Sequence, residues 1–477
     1  MKTKTAPIKF GTSGWRAVIA RDFTFTRVKV VTQAIADYLK SSGLSRGEVL
    51  VGYDTRFLGD RFARAAAEVL AGNRIKSVLS KRDVPTPVIA FSILNRKASG
   101  GINITASHNP PEYSGLKFSP DWGGPAEPQV TSEIEKRANL LVRREHFLEM
   151  DFDAARKKGL IKEADFSGPY LKALARRIDL DAIRKAKIKV AVDPLFGTSR
   201  GYLDEILLRA RAEVTLLHSD ANPGFGGLQP DPSEHHLGEL RGLLARNRKL
   251  ALGLAADPDA DRFGIVDRGG KFIEPNYILA LLADYLIRER GARGPVARSV
   301  ATSHLIDRVA EKYGRKVIET PVGFKYLGRV MLEQGAFLIG EESHGMSIGG
   351  HIPDKDGILA GLLVTEMVAR TGKTLSRLLK DLYREVGVVL NHRINLVLTP
   401  QLEKEIGKKL AGNPGKIAGL KVIERNELDG VKLILEGGSW ILARKSGTEP
   451  VVRIYLDGRS EKEMRELEKA AHKWILG

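Results

Sequence analysis

Strand and helix alternate three times along this chain, and a run of strands closed by one helix follows. That order predicts an α/β fold class: three similar mixed α/β domains plus a C-terminal α+β domain. Two observations carry the prediction. Up to about residue 386, apolar runs of strand length recur between helical segments; beyond it, strands succeed strands. In the first unit a strand at 49–53 leads into a helix with Ala63, Ala66, Ala67 and Leu70 on one side, and strands follow at 75–79 and 102–105. The second repeats the theme with a strand at 188–192, a helix at 202–208 and strands at 214–217 and 250–255. The third has a helix at 277–287, a short strand before Ser303, then strands at 317–318 and 337–339. A helix at 374–386 leads to strands at 394–398, 431–435, 440–443 and 452–456 and a closing helix at 461–475. The expected domain limits are 1–153, 154–267, 268–386 and 387–477.

Composition narrows the function classes. The chain has 477 residues, enough for three or four compact domains. With 43% apolar and 28% charged residues, it is globular rather than disordered. It has no cysteine, which excludes disulfides, thiolate metal sites and a cysteine nucleophile. No apolar run follows the basic N-terminal residues and none reaches membrane-spanning length, so a soluble, cytoplasmic protein without a membrane partner is expected. A net charge of +18 would suit nucleic acid. The basic residues are dispersed, however, with pairs such as Lys157-Lys158 and Arg176-Arg177 but no long basic tail and no nucleic-acid-binding motif. Small phosphorylated ligands are the expected partners, and specific nucleic-acid binding is not expected.

Four polar loops carry the chemistry, each where a strand ends and α/β sheets gather their ligands. In Thr105-Ala106-Ser107-His108-Asn109-Pro110, Ser107 can hold or accept a phosphoryl group, and His108 can assist proton movement. The residues alone fit a plain turn equally well, and the loop lacks the Gly-x-Ser-x-Gly elbow of a Ser-His-Asp hydrolase. Asp257-Pro258-Asp259-Ala260-Asp261-Arg262 sets three carboxylates at alternate positions, which is costly unless a cation neutralises them. Oxygen-only ligands point to Mg²⁺; a solvated acidic turn is the plainer alternative. An EF-hand is excluded, because Arg262 stands where its glycine belongs and Arg268 where its bidentate glutamate belongs.

Gly340-Glu341-Glu342-Ser343-His344-Gly345 offers carboxylates and a hydroxyl suited to sugar hydroxyls, and also fits a polar turn. Arg444-Lys445-Ser446-Gly447-Thr448-Glu449-Pro450 brings a guanidinium, two hydroxyls and backbone N–H groups opened by Gly447, a cradle for phosphate to which Arg453 adds; a charged β-hairpin is the alternative. Gly372-Lys373-Thr374 imitates the end of a Walker A motif, but Met367 stands where its first glycine belongs and the segment ends a helix.

Together these loops resemble those of the α-D-phosphohexomutase family, and of its phosphoglucomutase branch most. The resemblance covers the whole chain, with the loops in the family's order and spacing, from Gly11-Thr12-Ser13-Gly14-Trp15-Arg16 to beyond the Ser-Gly-Thr-Glu-Pro loop. It implies four domains around a central cleft, the last of the TATA-binding-protein-like kind. It implies that Ser107 is the phosphoserine and, with Asp257, Asp259 and Asp261, a ligand of Mg²⁺. Arg16, His108 and Lys117 match positions for charge stabilisation and proton transfer, and Arg262 one that approaches substrate. Glu341 and Ser343 match the sugar-binding pair; Thr320, Gly323 and Lys355 line the cleft in the glucose-preferring branch, whose Gly-Phe-Lys pattern returns as Gly323-Phe324-Lys325. Arg444, Ser446, Gly447 and Thr448 match the distal phosphate loop.

Two departures stand out. His344-Gly345 replaces the Gly-His of phosphomannomutase-like members, and Ala260 replaces a glycine common in the metal loop, a change expected to be tolerated. Phosphoglucosamine mutases share the Ser-Gly-Thr-Glu-Pro loop but favour glutamine where Glu342 stands. The implied activity is an isomerase exchanging hexose 1-phosphate and hexose 6-phosphate, with glucose the expected hexose. A hexose 1,6-bisphosphate is the implied intermediate and activator. A mannose-specific or dual-specificity mutase, a phosphoglucosamine mutase, a phosphatase using the same serine and a non-catalytic sugar-phosphate binder are the competing readings. Monomer and homodimer both remain open.

Overall fold

The computed structural model describes residues 6–11, 14–412, 414–446 and 450–476. They form two compact units, Met1–Ile273 with Ser343–Thr374, and Glu274–Glu342 with Leu375–Gly477.

The first unit holds two sheets. In one, Gly100–Ile104, Val49–Tyr53, Ser77–Ser80 and Ile161–Ala164 run parallel, and the sheet continues antiparallel through Tyr113–Pro120 and Gly14–Val18 to Phe10–Gly11. Helices cover its parallel part, so Val49, Leu50, Val51, Ile102 and Ile104 are buried as near-continuous apolar runs. The helix Gly59–Gly72 lays Ala63, Ala66, Ala67 and Leu70 in this core, where small side chains permit close approach. Ile161–Ala164 pairs with Ser77–Ser80, so this sheet runs past the limit expected at 153. Only Ile161 of that strand is buried, which leaves no apolar run in the sequence to mark it.

The second sheet has the order Lys271–Ile273, Phe263–Asp267, Leu252–Ala256, Lys189–Asp193, Glu213–Leu216. The last three strands are parallel and the first two antiparallel. The helix Gly357–Thr371 packs over it, buried from Gly357 to Val368. This helix is apolar nearly all round and has to be enclosed; strands of the second sheet pack against it. Gly372 ends this helix in the left-handed region at φ 64°, a helix cap rather than a phosphate loop.

The other unit also has two sheets. Val317–Thr320, Val296–Ser299 and Leu338–Glu341 are parallel, with Val296–Ser299 central. The C-terminal sheet is antiparallel in the order Leu390–Val397, Val451–Gly458, Trp440–Lys445, Val431–Leu435, Leu420–Asn426, Lys416–Ile417. Helices Pro400–Ala411 and Glu461–Leu476 close its apolar face through Leu402, Ile406, Leu467 and Ile475. Lys432 ties the two sheets: fully buried, it donates to Val300 O (3.0 Å) and Glu319 Oε1 (2.9 Å), and its Nζ lies 4.3 Å from the Trp440 ring centroid. No helix among the described residues is long and apolar enough to cross a membrane.

Candidate active site

The strand Gly100–Ile104 ends at Thr105, and the chain turns sharply at Ser107, whose φ of 52° lies in the left-handed region. For a residue with a Cβ this costs roughly 1–2 kcal/mol, so the surroundings must hold it. The turn aims Ser107 Oγ at Asp257 Oδ2, to which it donates at 2.6 Å, and His108 Nδ1 lies 3.2 Å from Ser107 Oγ. Arg16 steadies the far side of the loop by donating to Asn109 Oδ1 at 2.6 Å.

The acidic loop follows the fully buried strand Leu252–Ala256. It closes through Ala260 N on Asp257 O (2.8 Å), with Ala260 itself left-handed at φ 56°, a conformation that glycine adopts without strain. Gly357 brings a helix start onto it: its N–H donates to Ala260 O at 3.0 Å, and a Cβ there would stand 2.3 Å from Arg262 O. Asp257, Asp259 and Asp261 are at most 1% exposed, and their ligand oxygens lie within 4.8 Å of one another.

Cations answer this charge. Lys117 Nζ donates to Asp259 Oδ2 (2.5 Å) and Asp261 Oδ2 (2.8 Å), Thr86 Oγ1 donates to Asp259 Oδ2 (2.5 Å), and Lys355 Nζ lies 3.0 Å from Asp261 Oδ2. Burial and the carboxylates of Asp259 and Asp261 push Asp257 well up. Burial acts the same way on Asp261, but Lys117, Lys355 and Arg262 outweigh it and hold this carboxyl below its usual range. Burial alone would lower Lys117; Asp259 and Asp261 reverse that and hold it protonated.

Asp259 Oδ1 and Asp261 Oδ1 are buried without a hydrogen-bond partner, each a cost of about 1–3 kcal/mol. Unpartnered hard oxygens beside a serine hydroxyl are the donor set Mg²⁺ takes, so the residues fit the ion.

Further basic side chains lie in the same unit. Burial and the neighbouring Arg262 lower Arg16, and burial with Arg262 and Arg16 pushes His108 well below its ordinary value. Arg262 is fixed by its own N–H on Asp257 Oδ1 (2.9 Å), and its Nε is buried without a partner. His344, buried with φ 71°, turns its ring inward, Nδ1 lying 3.0 Å from Phe263 O.

The structure thus brings Arg16, Ser107, His108, Lys117, Asp257, Asp259, Asp261, Arg262 and Lys355 together in one unit. Ser343 belongs to that unit, whereas Glu341 belongs to the other. There Glu341 Oε1 accepts from Gly323 N at 2.7 Å; Gly323 takes φ 136°, open to glycine, and Thr320 Oγ1 donates to Pro321 O at 3.0 Å. Arg444 pairs in register with Arg453 across neighbouring strands, two cations on one face. Asp429 holds Arg444 through both carboxylate oxygens (3.0 and 3.3 Å) and accepts from Val322 N at 3.0 Å. Ser446 N donates to Val451 O at 2.9 Å; Gly447 and Thr448 lie outside the described residues.

Sequence reasoning missed Thr86 and Asp429. Thr86 carries no local signal, but Asp429-Gly430 is a hairpin-turn dipeptide and marked a loop worth reading.

Known proteins match nearly the whole chain. Family models match domain I of phosphoglucomutase/phosphomannomutase over residues 7–142, domain II over 168–270, domain III over 274–386 and the C-terminal domain over 403–473. A phosphoglucomutase of Komagataeibacter xylinus is 34% identical over 95% of this chain and 88% of its own. A phosphoglucomutase/phosphomannomutase of Thermococcus kodakarensis is 31% identical over 96% of each chain. A crystal structure from Thermus thermophilus, described as a phosphomannomutase, superposes with TM-score 0.85 at 35% identity over 99% of this chain and 100% of the other.

The four domains together define an isomerase of the phosphohexomutase class. The chain belongs to the phosphoglucomutase/phosphomannomutase family.

Proposed function

We propose that the enzyme interconverts hexose 1-phosphate and hexose 6-phosphate, with glucose the preferred hexose, through a phosphoserine at Ser107 and a hexose 1,6-bisphosphate. The observation that carries this reading is the 2.6 Å contact of Ser107 Oγ with Asp257 inside a buried triad of carboxylates. In the first step the Oγ–P bond of phosphoserine breaks as a bond forms from a sugar hydroxyl oxygen to phosphorus. The hydroxyl proton leaves the sugar, and Ser107 Oγ takes one up.

His108, uncharged because of burial, Arg262 and Arg16, and 3.2 Å from Ser107 Oγ, is assigned this proton traffic. Lys117, Arg16 and Arg262 supply fixed positive charge to the phosphoryl group. Mg²⁺ held by Ser107 Oγ, Asp257, Asp259 and Asp261 would add charge neutralisation to the transferring oxygens. The bisphosphate turns end for end, and the second phosphoryl group returns to Ser107 Oγ while the sugar oxygen regains the proton. Arg444, Arg453, Ser446, Gly447 and Thr448 are assigned the distal phosphate; Glu341, Ser343, Thr320, Gly323 and Lys355 are assigned the sugar. Arg444 and Arg453 lie opposite one another on adjacent strands, a pair of guanidinium groups suited to a phosphate dianion, with Asp429 holding Arg444 in place.

The domain division belongs to this reading, with the first limit moved beyond Ala164 to keep its sheet whole. A cytoplasmic location is also part of the proposal.

Glucose 1-phosphate is expected to exceed mannose 1-phosphate by about tenfold in kcat/KM, or about 1.4 kcal/mol. A coupled mutase assay across glucose, mannose and glucosamine 1-phosphates checks this, and equal or higher kcat/KM for mannose would reassign the hexose. That second reading has support: relatives and a solved structure are named for mannose as well, and other relatives, one from Pyrococcus abyssi at 30% identity, are named phosphoglucosamine mutases. Release of free phosphate without isomerisation would mark a phosphatase instead.

Asp429→Ala probes the cradle. Losing both contacts to Arg444, it is expected to raise KM for glucose 1-phosphate by about tenfold while leaving kcat within a few-fold, as read from full kinetic curves.

A further inference from the structure

The strand Val49–Tyr53 delivers Asp54 and Arg56 to the underside of the Ser107 loop. The Arg56 side chain is fully buried, and its fork gathers backbone carbonyls: Nη2 donates to Ser107 O at 2.6 Å and to Asn109 O, and Nη1 to Pro110 O (2.7 Å) and Tyr113 O (2.8 Å). Asp54 Oδ2 lies 3.3 Å from Arg56 Nε, and the guanidinium carbon lies 4.9 Å from the Phe225 ring centroid. The same Asp54 oxygen accepts from Thr105 Oγ1 at 2.5 Å, and Thr105 Oγ1 accepts from Ser107 N at 2.9 Å. Both peptide groups that flank the strained Ser107 therefore lead back to this one ion pair, the N–H through Thr105 and the C=O through Arg56. Burying a guanidinium is expensive, and fewer donors would close an ordinary turn. A fork that binds four carbonyls at once fixes the loop in position as well as closing it.

We propose that Arg56, set by Asp54, is a positioning residue for phosphoryl transfer: it holds Ser107 in the left-handed conformation that aims Oγ at the acidic loop. This rests on the reading of Ser107 as the residue that carries the phosphoryl group. Lysine at position 56 keeps the charge but not the fork, so Arg56→Lys is expected to loosen the aim of Oγ without touching the sugar-binding residues.

The test mixes dephosphorylated full-length enzyme with glucose 1,6-bisphosphate and follows phosphate uptake on Ser107 by mass spectrometry, beside steady-state kinetics. For Arg56→Lys the uptake rate constant and kcat are expected to fall about 30-fold or more, with full uptake amplitude and KM for glucose 1-phosphate within about threefold of the parent. A parental rate constant overturns the proposal, whether amplitude is full or reduced, because reduced amplitude alone reports lost folded protein. If Arg56→Lys does not fold, Asp54→Asn is measured in the same way, with about a tenfold fall in rate constant expected. Failure of both variants to fold would make the pair structural and overturn the positioning role. Ser107→Ala separates the two readings. If the parent takes up phosphate on Ser107 and Ser107→Ala does not, the phosphoserine reading stands and a failure at Arg56 is its own.

Discussion

Replacing Ser107 by alanine is expected to lower kcat by about three orders of magnitude or more, with KM for glucose 1-phosphate changed little. In the proposed mechanism the phosphoryl group is attached to this hydroxyl oxygen, and no neighbour can stand in for it. His108 Nδ1 lies 3.2 Å from that oxygen but is itself buried against Arg262 and Arg16, which already crowd it with positive charge. Water could replace the serine only by hydrolysing the phosphate, and that ends in free phosphate rather than isomerised sugar. The variant should fold, because alanine fits the space and the backbone contacts of residue 107, N–H to Thr105 Oγ1 and C=O to Arg56, do not involve the hydroxyl. Unchanged sugar affinity would show that the loss lies in chemistry. Full activity in a protein verified to carry alanine would remove Ser107 from the mechanism and with it the covalent route.

Much of the candidate site is legible because its residues are local in sequence. The strand at 49–53 and the acidic triad at 257, 259 and 261 each sit in one short stretch, and the structure puts both where the residue pattern predicts. What the sequence hid is long-range. Thr86 reaches Asp259 across 173 residues, and Lys117 reaches the same carboxylate across 142; the motif match alone marked Lys117. The strand Tyr113–Pro120, buried along most of its length, was missed because Ser114, Gly115, Lys117 and Ser119 break its apolar pattern. Three of those four are polar, and one of them is the lysine that neutralises the triad. Asp54 and Arg56 were legible in principle: a charged pair immediately after an apolar strand stands where α/β folds place their functional loops. The grouping of Ser343–Thr374 with the first unit is long-range too, since it runs through a helix whose burial depends on contacts far away in the chain.

Removing Mg²⁺, or one of the carboxylates proposed to hold it, is the other change with a large expected effect. Exhaustive chelation should reduce the mutase rate by about two orders of magnitude or more, roughly what losing the main charge neutraliser of a phosphoryl transfer costs. Asp259→Asn should reproduce much of that loss, because asparagine keeps the shape of the side chain but offers the metal one neutral oxygen. The same exchange removes the charge that Lys117 faces at 2.5 Å and replaces one of two acceptors with an amide donor. Activity alone would not separate these effects, so metal binding is read a second way, through stability. An ion that binds only the folded chain raises unfolding free energy by about 2.7 kcal/mol at a hundredfold excess over Kd. Titrating Mg²⁺ into the parent should therefore raise Tm. The buried oxygens Asp259 Oδ1 and Asp261 Oδ1, unpartnered without the ion, are where that gain originates. In Asp259→Asn the Tm rise should shrink at equal Mg²⁺ and saturate at higher concentration. Because Lys117 and Lys355 already offset part of the charge, the parent is expected to stay folded without metal and only lose activity and a few degrees of Tm. An undiminished rate after chelation, with no Mg²⁺-dependent change in Tm, would show that the three aspartates serve the fold through Lys117 and hold no catalytic ion.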